Sequence, residues 1–473
     1  MLRFVACLVT LVPLAFGSRL TAAEKPPNIV LIVADDLGCF ELGCYGQTKI
    51  KTPNIDKLAA GGMKFTRFYS GCPVCAPSRC ALMTGKHMGH ATVRNNVQFK
   101  KGEEGQFPIR TEDMTVTELL KEKGYTTGAM GKWGLGMFDT TGSPMKHGFD
   151  LFYGYNCQGH AHSHYPTHIY RNDKRIDLKD NDGKTGKQYT QDLFEAESLD
   201  FIEKNKAKAF FLYLPFTVPH VALQVPEDSL AEYKGKLGDD PPYDGKKLGY
   251  LPHETPRAAY AAMVTRMDRS VGRIIEKLKT AGLEKNTLVL FTSDNGPTMP
   301  SGGAGVDNGF DSAGKLRGRK GSVYEGGIRV PLIAYMPSTI KAGSTFDAPC
   351  YFPDILPTLC EFAGAKTPDN IDGISFRPVL VGFAKQRTHD FLYWEFPGYG
   401  GQQAVISGEW KAVRQNLAKG VVKTELYNLA KDVSEKEDVS AQNADVVARL
   451  EKLMKDQHTP NPNFPLQAID AKK

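Results

Sequence analysis

Continuous hydrophobic runs alternate with helical patterns along most of the chain. The run at 28–36, NIVLIVADD, predicts a buried strand, because a strand covered on both faces carries apolar residues without alternation. Three more pairs of a helical pattern followed by an apolar run lie at 116–124 and 125–133, 189–205 and 209–220, and 256–281 and 286–296. The alternation predicts an α/β fold with a large, mainly parallel sheet flanked by helices.

The pattern changes after roughly residue 380. Shorter strand patterns follow at 390–396, 402–415 and 424–429, and an amphipathic helix is predicted at 444–456. We therefore predict a larger domain over 24–380 and a smaller C-terminal α+β domain over 381–473.

The first 23 residues differ from the rest of the chain. Arg3 precedes an apolar run, and small residues, TAA, stand just before Glu24. This order is typical of a secretory signal peptide, with a buried N-terminal helix as the alternative. We expect an exported protein, periplasmic or secreted. Since no later stretch is long and apolar enough to span a membrane, we expect no transmembrane anchor after signal removal.

The net charge of the chain limits the kinds of partner that it is expected to bind. Without the first 23 residues, 57 basic and 53 acidic residues remain, a net charge near +4. Such a mild excess does not indicate a nucleic-acid partner, whereas it is compatible with an anionic substrate.

Polar side chains follow four of the predicted strands. In an open parallel sheet, ligands bind beyond the carboxyl ends of the strands, and those ends lie at one edge of the sheet. We therefore expect these side chains to lie close together at that edge. They are Asp35 and Asp36, Lys132, His220, and Asp294 with Asn295. Each residue type alone is common in turns or on surfaces. The acidic and amide side chains offer only hard oxygen ligands, which suit calcium, suit magnesium less well and are poor for zinc.

The stretch 70–87, SGCPVCAPSRCALMTGKH, contains a C-x-x-C formed by Cys72 and Cys75. A redox pair at a helix start is one interpretation, and cysteines packed as small hydrophobic residues are another. A zinc site is a third, with the candidate ligands Cys39, Cys44, Cys72 and Cys75. None of these three gives a role to Pro77 or Arg79.

C-x-P-S-R followed by CALMTGKH closely resembles the signature of the type I sulfatases. In that family the cysteine is oxidised after synthesis to Cα-formylglycine, and the maturation enzyme reads the proline and arginine of the motif. Other blocks along the chain resemble those of the family and stand in its order: PNIVLIVADDLG and TPNIDKLAAGGMKFTRFYS before this motif, then GKWGLG, TVPH, FTSDNGP, GRKGSVYEGGIRVP and ELYNLAKDVSEKEDVS. The resemblance implies an alkaline-phosphatase-like fold, a formylglycine-generating maturation enzyme as partner, and hydrolysis of a sulfate ester on a carbohydrate, as in bacterial-type enzymes.

The resemblance also implies a mechanism centred on Cys75. One hydroxyl of the hydrated aldehyde attacks sulfur and gives a sulfo-enzyme intermediate. Loss of the proton of the second hydroxyl then expels sulfate and regenerates the aldehyde. A serine would form the ester but has no second hydroxyl. A helix that begins near Pro77 is expected to add a favourable dipole.

Site residues are carried over from the family by matching motifs. The implied calcium ligands are Asp35, Asp36, Asp294 and Asn295. Arg79 and Lys132 are implied to position and polarise the formylglycine. His220 and Lys320 are implied to contact the sulfate, with His220 as an acid toward the leaving oxygen. Asp294 is further implied to take the proton of the attacking hydroxyl.

One position departs from the family pattern. Many sulfatases carry a histidine two residues after the lysine of the GKW block, whereas this chain has Gly134. The segment 159–168 is rich in histidine, and if it is extended, His160, His162 and His164 share one face. A polar surface loop and an adventitious metal site are alternatives. We favour sugar binding by His160 and His162.

Two other functions compete with a sulfatase. A phosphoester hydrolase of the same superfamily typically needs ligands for two zinc ions, and this sequence does not supply them. A sulfated-glycan-binding protein without catalysis is favoured only by Gly134.

Overall fold

The computed structural model describes residues 25–101, 104–246, 250–298, 309–383, 386–420 and 422–470. The predicted signal peptide at 1–23 lies outside these residues. Among the helices that are described, none combines the length and the apolar character needed to cross a bilayer.

The strands form two sheets in the described chain. The large sheet contains β1 Asn28–Ala34, β2 Met63–Tyr69, β3 Thr126–Lys132, β4 Leu151–Tyr155, β5 His168–Arg171, β6 Lys174–Asp177, β7 Phe210–Pro215, β8 Thr287–Ser293, β9 Arg329–Tyr335, β10 Ser344–Phe346 and β11 Cys350–Tyr351. The small sheet contains β12 Leu392–Phe396, β13 Gln402–Ser407, β14 Trp410–Arg414 and β15 Thr424–Asn428.

The α-helices flank the sheets. They are α1 Pro53–Gly61, α2 Cys75–Thr84, α3 Val116–Glu122, α4 Thr190–Asn205, α5 Glu227–Leu230, α6 Pro256–Thr280, α7 Glu325–Ile328, α8 Ile355–Ala363, α9 Arg377–Leu380, α10 Ala444–Gln457 and α11 Gln467–Asp470. A 3-10 helix spans His160–His162.

The centre of the large sheet is parallel. The order is β10-β2-β9-β8-β1-β7-β3-β4-β5-β6, and the strands β8, β1, β7, β3 and β4 all run in the same direction. Every residue of β1, β7 and β8 is buried, as expected for strands covered by helices on both faces. The predicted mixed, mainly parallel sheet is confirmed, and its parallel strands present their carboxyl ends at one edge.

The small sheet is antiparallel and packs on α10. Lys411 of β14 is fully buried, and its Nζ lies 3.0 Å from Glu325 Oε1 and 2.9 Å from Glu435 Oε1. This ion-pair cluster joins the small sheet to α7, which leads into β9. The predicted small C-terminal α+β part is confirmed as this antiparallel sheet with its helix, and the division at 380/381 stays a prediction.

The helix with the C-x-P-S-R motif begins at Cys75, two residues before Pro77, in agreement with the expected start near that proline. One expectation about local structure needs correction. The histidine segment is not extended, because His160–His162 forms a 3-10 helix. In addition, the antiparallel pairing of β9 with β2 and β8 did not follow from the alternating pattern.

Candidate active site

The predicted polar residues meet where the parallel strands end. Ala34 and Ser293 are paired across β1 and β8, so Asp35 and Asp294 follow side by side. The Asp294 backbone N–H donates to Ala34 O at 3.0 Å. The Asp36 backbone N–H donates to Asp294 Oδ1 at 3.1 Å, and Asp36 has a φ of 65°. The strand register therefore brings the three carboxylates together.

Cys75 is the first residue of α2 and is only 2% exposed. Its Sγ lies 3.6 Å from Asp35 Oδ1. The next residue, Ala76, donates its backbone N–H to Asn96 Oδ1 at 2.8 Å, which caps the helix start. Burial raises the pKa of the Cys75 thiol to about 12, because it outweighs the opposite effect of the Lys132 charge. The thiol is thus protonated at neutral pH, contrary to what a redox cysteine needs.

Arg79 and Lys132 each bind one of the three carboxylates, Asp294 and Asp35 respectively. Arg79 donates from Nε at 3.1 Å and from Nη2 at 2.7 Å to Asp294 Oδ2, and from Nη1 to the Lys132 carbonyl at 3.3 Å. The ammonium of Lys132 contacts Asp35 Oδ2 directly. Arg79 is one turn after Cys75 on α2, so the spacing in C-x-P-S-R brings the guanidinium to the strand ends.

Lys320 and His220 lie on the side of Asp36. Lys320 Nζ donates to Asp36 Oδ2 at 2.8 Å, and His220 Nε2 lies 3.6 Å from the same oxygen. His220 Nδ1 donates to the Val221 carbonyl, which leaves Nε2 directed at the site. Burial lowers the pKa of His220 well below its usual range, and the positive charge of Lys320 is the second largest cause of this shift. His164 supports this turn, since its Nε2 donates to the His220 carbonyl at 2.9 Å.

The carboxylates differ in their pKa. Burial raises the pKa of Asp35, but the charges of Lys132 and its neighbours outweigh burial and hold it well below the usual range. Burial and the charge of Asp35 raise the pKa of Asp294 to about 6, although Arg79 opposes this. Asp294 is therefore a stronger base than an ordinary aspartate.

Two of the implied calcium ligands, Asp35 and Asp36, belong to one group of close ligand atoms, and Asp294 is not part of that group. Ligand atoms of Asp35, Asp36, Cys75 and His220 all lie within 4.8 Å of one another. Asn295 Oδ1 is buried without a hydrogen-bond donor, while its Nδ2 donates to Asp36 Oδ1 at 2.8 Å. Carboxylate and amide oxygens are ligands that calcium prefers. The cysteines of the alternative zinc site do not form a close group of ligand atoms within the described residues.

The histidine segment sends its side chains in different directions. The His162 ring stacks on His220, with centroids 4.6 Å apart and an interplanar angle of 12°. The His160 ring instead stacks on His168, with centroids 4.2 Å apart. His164 is fully buried beneath the His220 turn. The expectation that the three histidines share one face is wrong, because a 3-10 helix rotates them apart.

Gln158 occupies the space beside Gly134. Gly134 has a φ of +79°, and a Cβ at this position would lie 2.0 Å from Gln158 Nε2. Gln158 is 5% exposed, and neither polar atom of its carboxamide has a hydrogen-bond partner among the described residues. The sequence analysis did not identify Gln158. Its position directly before the histidine segment 159–168 is the signal in the sequence that could have identified it.

Tyr250 is a second residue that the sequence analysis missed. Its ring centroid lies 5.7 Å from that of His162 and 6.1 Å from that of His220. No motif marks this tyrosine, because it lies in a long irregular segment before α6.

The contact between Gly134 and Gln158 makes a testable prediction. Gly134→His should lower the free energy of unfolding by about 1–3 kcal/mol, because the new side chain overlaps Gln158. Adding Gln158→Ala should recover part of that loss. Gly282→His is the matched control, since Gly282 has a φ of +72° and nothing within 4 Å of an added Cβ. Equal losses in chemical denaturation for both glycine variants would show that only the backbone conformation matters.

Comparisons with known proteins agree with this geometry. A model of the Sulfatase family matches residues 27–365, and a model described as N-sulphoglucosamine sulphohydrolase, C-terminal, matches residues 319–459. The chain is 33% identical over 420 residues to the N-acetylgalactosamine-6-sulfatase of Mus musculus, a match that covers 84% of this chain and 74% of that relative. It is 33% identical over 401 residues to arylsulfatase A of Homo sapiens, covering 83% of this chain and 75% of the relative.

A solved structure is similar over nearly the whole length. The structure of Ps i-CgsB in complex with k-i-k-neocarrahexaose superimposes with a TM-score of 0.77 and 31% identity, covering 94% of this chain and 96% of that chain. The alkaline-phosphatase-like architecture expected from the motifs is thereby confirmed. With a family model over most of its length and relatives of this similarity, the chain belongs to the sulfatase family of sulfuric ester hydrolases.

Proposed function

We propose that the protein is an exported, calcium-dependent sulfatase that hydrolyses a sulfate ester on a carbohydrate through a formylglycine made from Cys75. One observation carries the proposal. The cysteine of the C-x-P-S-R motif lies buried at the first residue of α2, with its Sγ 3.6 Å from Asp35 and with Arg79 of the same motif bound to Asp294.

Formylglycine supplies a hydrated aldehyde, with one hydroxyl to attack sulfur and a second whose deprotonation expels the sulfate. Asp294 is the proposed proton acceptor for the attacking hydroxyl, because it lies beside Asp35 at the strand ends and its Oδ2 is held by Arg79. Arg79 orients Asp294 through two hydrogen bonds, at 3.1 and 2.7 Å. Lys132, in contact with Asp35, is proposed to polarise the hydroxyl that remains.

The sulfate needs positive charge around its oxygens. Lys132 contacts Asp35 and Lys320 contacts Asp36. The two lysines are proposed to bind the sulfate oxygens. His220 is proposed to protonate the leaving oxygen through Nε2, the nitrogen directed into the site. Because the free site holds His220 neutral with its proton on Nδ1, His220 must first take up a second proton at Nε2, which the negative charge of a bound sulfate favours. Asp35, Asp36, Asp294 and Asn295 are the proposed calcium ligands, and the ion would add further charge stabilisation for a sulfate oxygen.

A carbohydrate is the proposed source of the sulfate ester. The relatives include an N-acetylgalactosamine-6-sulfatase, and Ps i-CgsB was solved in complex with k-i-k-neocarrahexaose. His162 supports this proposal because it stacks on His220 beside the reacting groups. His160, stacked on His168, remains a proposed sugar contact farther from them.

The test compares purified, matured protein on 4-nitrophenyl sulfate, 4-nitrophenyl phosphate, N-acetylgalactosamine 6-sulfate and k-i-k-neocarrahexaose. We expect hydrolysis of the aryl sulfate and of at least one sulfated carbohydrate, and little hydrolysis of the phosphate. Preferred hydrolysis of the phosphate would support a phosphoester hydrolase instead. Binding of the carbohydrates without turnover of any ester would identify a sulfated-glycan-binding protein.

The two histidines should respond differently to alanine substitution. His162→Ala should lower kcat/KM for the carbohydrate about tenfold, with a smaller loss on the aryl sulfate, because the ring supports His220. His160→Ala should lower kcat/KM only for the carbohydrate, and by less. Steady-state kinetics on both substrates measures this difference. Wild-type kinetics in both variants would show that neither histidine binds the sugar.

A further inference from the structure

Tyr250 forms an aromatic wall with His162 and His220 at one side of the site. The three ring centroids lie between 4.6 and 6.1 Å apart. Burial raises the pKa of Tyr250 to about 12, and Lys320 and Asp36 also act on it electrostatically, so the phenol lies within range of the site charges. The tyrosine is partly exposed, and therefore the wall has a face that a ligand can reach.

The wall lies on the side from which the alcohol leaves. In a displacement on sulfur, the attacking and leaving oxygens are roughly in line, by analogy with phosphoryl transfer. Cys75 Sγ lies 3.6 Å from Asp35 Oδ1 and His220 Nε2 lies 3.6 Å from Asp36 Oδ2, within one compact group. Because His220 is the proposed acid toward the leaving oxygen, the rings that pack on His220 border the leaving alcohol.

We infer that Tyr250 binds the sugar ring of the leaving alcohol and is a specificity-determining residue of this sulfatase. This inference rests on the proposed function. A sugar ring has one or both faces covered with C–H groups, and an aromatic face buries them well. The phenol hydroxyl makes no hydrogen bond to the part of the chain that the structure describes, so it is available to a sugar hydroxyl as well.

The test uses Tyr250→Ala and Tyr250→Phe in matured enzyme. Tyr335→Ala is the matched control, since Tyr335 is also a partly buried tyrosine but lies at the far end of β9, hydrogen-bonded to Glu284. Two quantities are measured. One is kcat/KM for the carbohydrate hydrolysed fastest by the wild type, N-acetylgalactosamine 6-sulfate or k-i-k-neocarrahexaose. The other is the inhibition constant of inorganic sulfate, which has no leaving group.

We expect Tyr250→Ala to lower kcat/KM about tenfold while the inhibition constant for sulfate changes less than about twofold. Tyr250→Phe should stay within about threefold of the wild type, because it keeps the ring. Tyr335→Ala should leave both quantities unchanged.

Several results would overturn the inference. Unchanged kcat/KM in Tyr250→Ala would do so, and so would a parallel loss of sulfate inhibition, which would mean that the whole site is disturbed. Wild-type hydrolysis of 4-nitrophenyl sulfate but of neither carbohydrate would remove this inference and leave the enzyme a sulfatase. Wild-type inactivity on every ester would remove the proposed function as well.

Discussion

Replacing Cys75 with alanine should lower kcat for 4-nitrophenyl sulfate by at least about 10⁴-fold, because the substitution removes the nucleophile while the charged site remains. The Cys75→Ser variant should also show no steady-state turnover, for a different reason. A serine hydroxyl can accept the sulfuryl group, but it has no second hydroxyl whose deprotonation would expel it. Mass spectrometry should therefore detect sulfated protein with serine at this position and none with alanine.

Cys72→Ala is the matched control for this loss. Cys72 is as buried as Cys75 and belongs to the same C-x-x-C, but it lies outside the C-x-P-S-R motif. We expect this variant to keep most of the activity. If Cys72→Ala abolished turnover as completely as Cys75→Ala, the redox interpretation of the pair would regain support.

Removal of calcium should have the second-largest effect. Chelation with EGTA should abolish most turnover, and Asp35→Asn should lower kcat/KM by about 100-fold or more, because the hard-oxygen site then lacks its ion or a ligand. Restoring calcium at about 100 times its dissociation constant should stabilise the fold by about 2.7 kcal/mol. Thermal unfolding and kinetics, each with and without calcium, measure both effects.

Asp372→Asn is the control for a nonspecific response to calcium. Asp372 belongs to the other group of close ligand donors in the described structure, with His87 and His90. His87 accepts the Gly89 N–H at Nδ1, so in its neutral form the proton lies on Nε2, the atom facing Asp372. That group is therefore poorly arranged for a metal, and the variant should keep its response to calcium. Full activity of metal-free wild-type protein, checked by elemental analysis, would refute the calcium site.

The parallel part of the fold could be predicted because its strands are apolar throughout. A run such as 28–36 has no polar face, so both of its sides must be covered by helices. The edges of the sheet could not be predicted in the same way. The β5–β6 hairpin is short and half exposed. β9 pairs antiparallel with β8, the strand before it, and with β2, which is distant in sequence, and no local pattern specifies these partners.

The same distinction applies to the site. Asp35 and Asp294 come directly after β1 and β8, and Lys132 is the last residue of β3. The carboxyl ends of these parallel strands therefore determine where the three side chains meet. Gln158 and Tyr250 belong to irregular segments, whose course depends on tertiary contacts rather than on periodicity. The prediction that the histidines at 160–164 share one face was wrong for the same reason. It assumed the spacing of an extended strand, whereas the segment contains a 3-10 helix.

The chemistry proposed for Cys75 depends on its oxidation to formylglycine, and the mass of the peptide that contains this residue in active enzyme measures that oxidation. The chain is produced together with a formylglycine-generating enzyme, digested, and quantified for the peptide from Phe68 to Arg79. We expect this peptide to be lighter by about 18 mass units than its unmodified form, in a fraction that rises in proportion to specific activity on 4-nitrophenyl sulfate. An intact thiol at Cys75 in fully active protein would contradict the proposed mechanism.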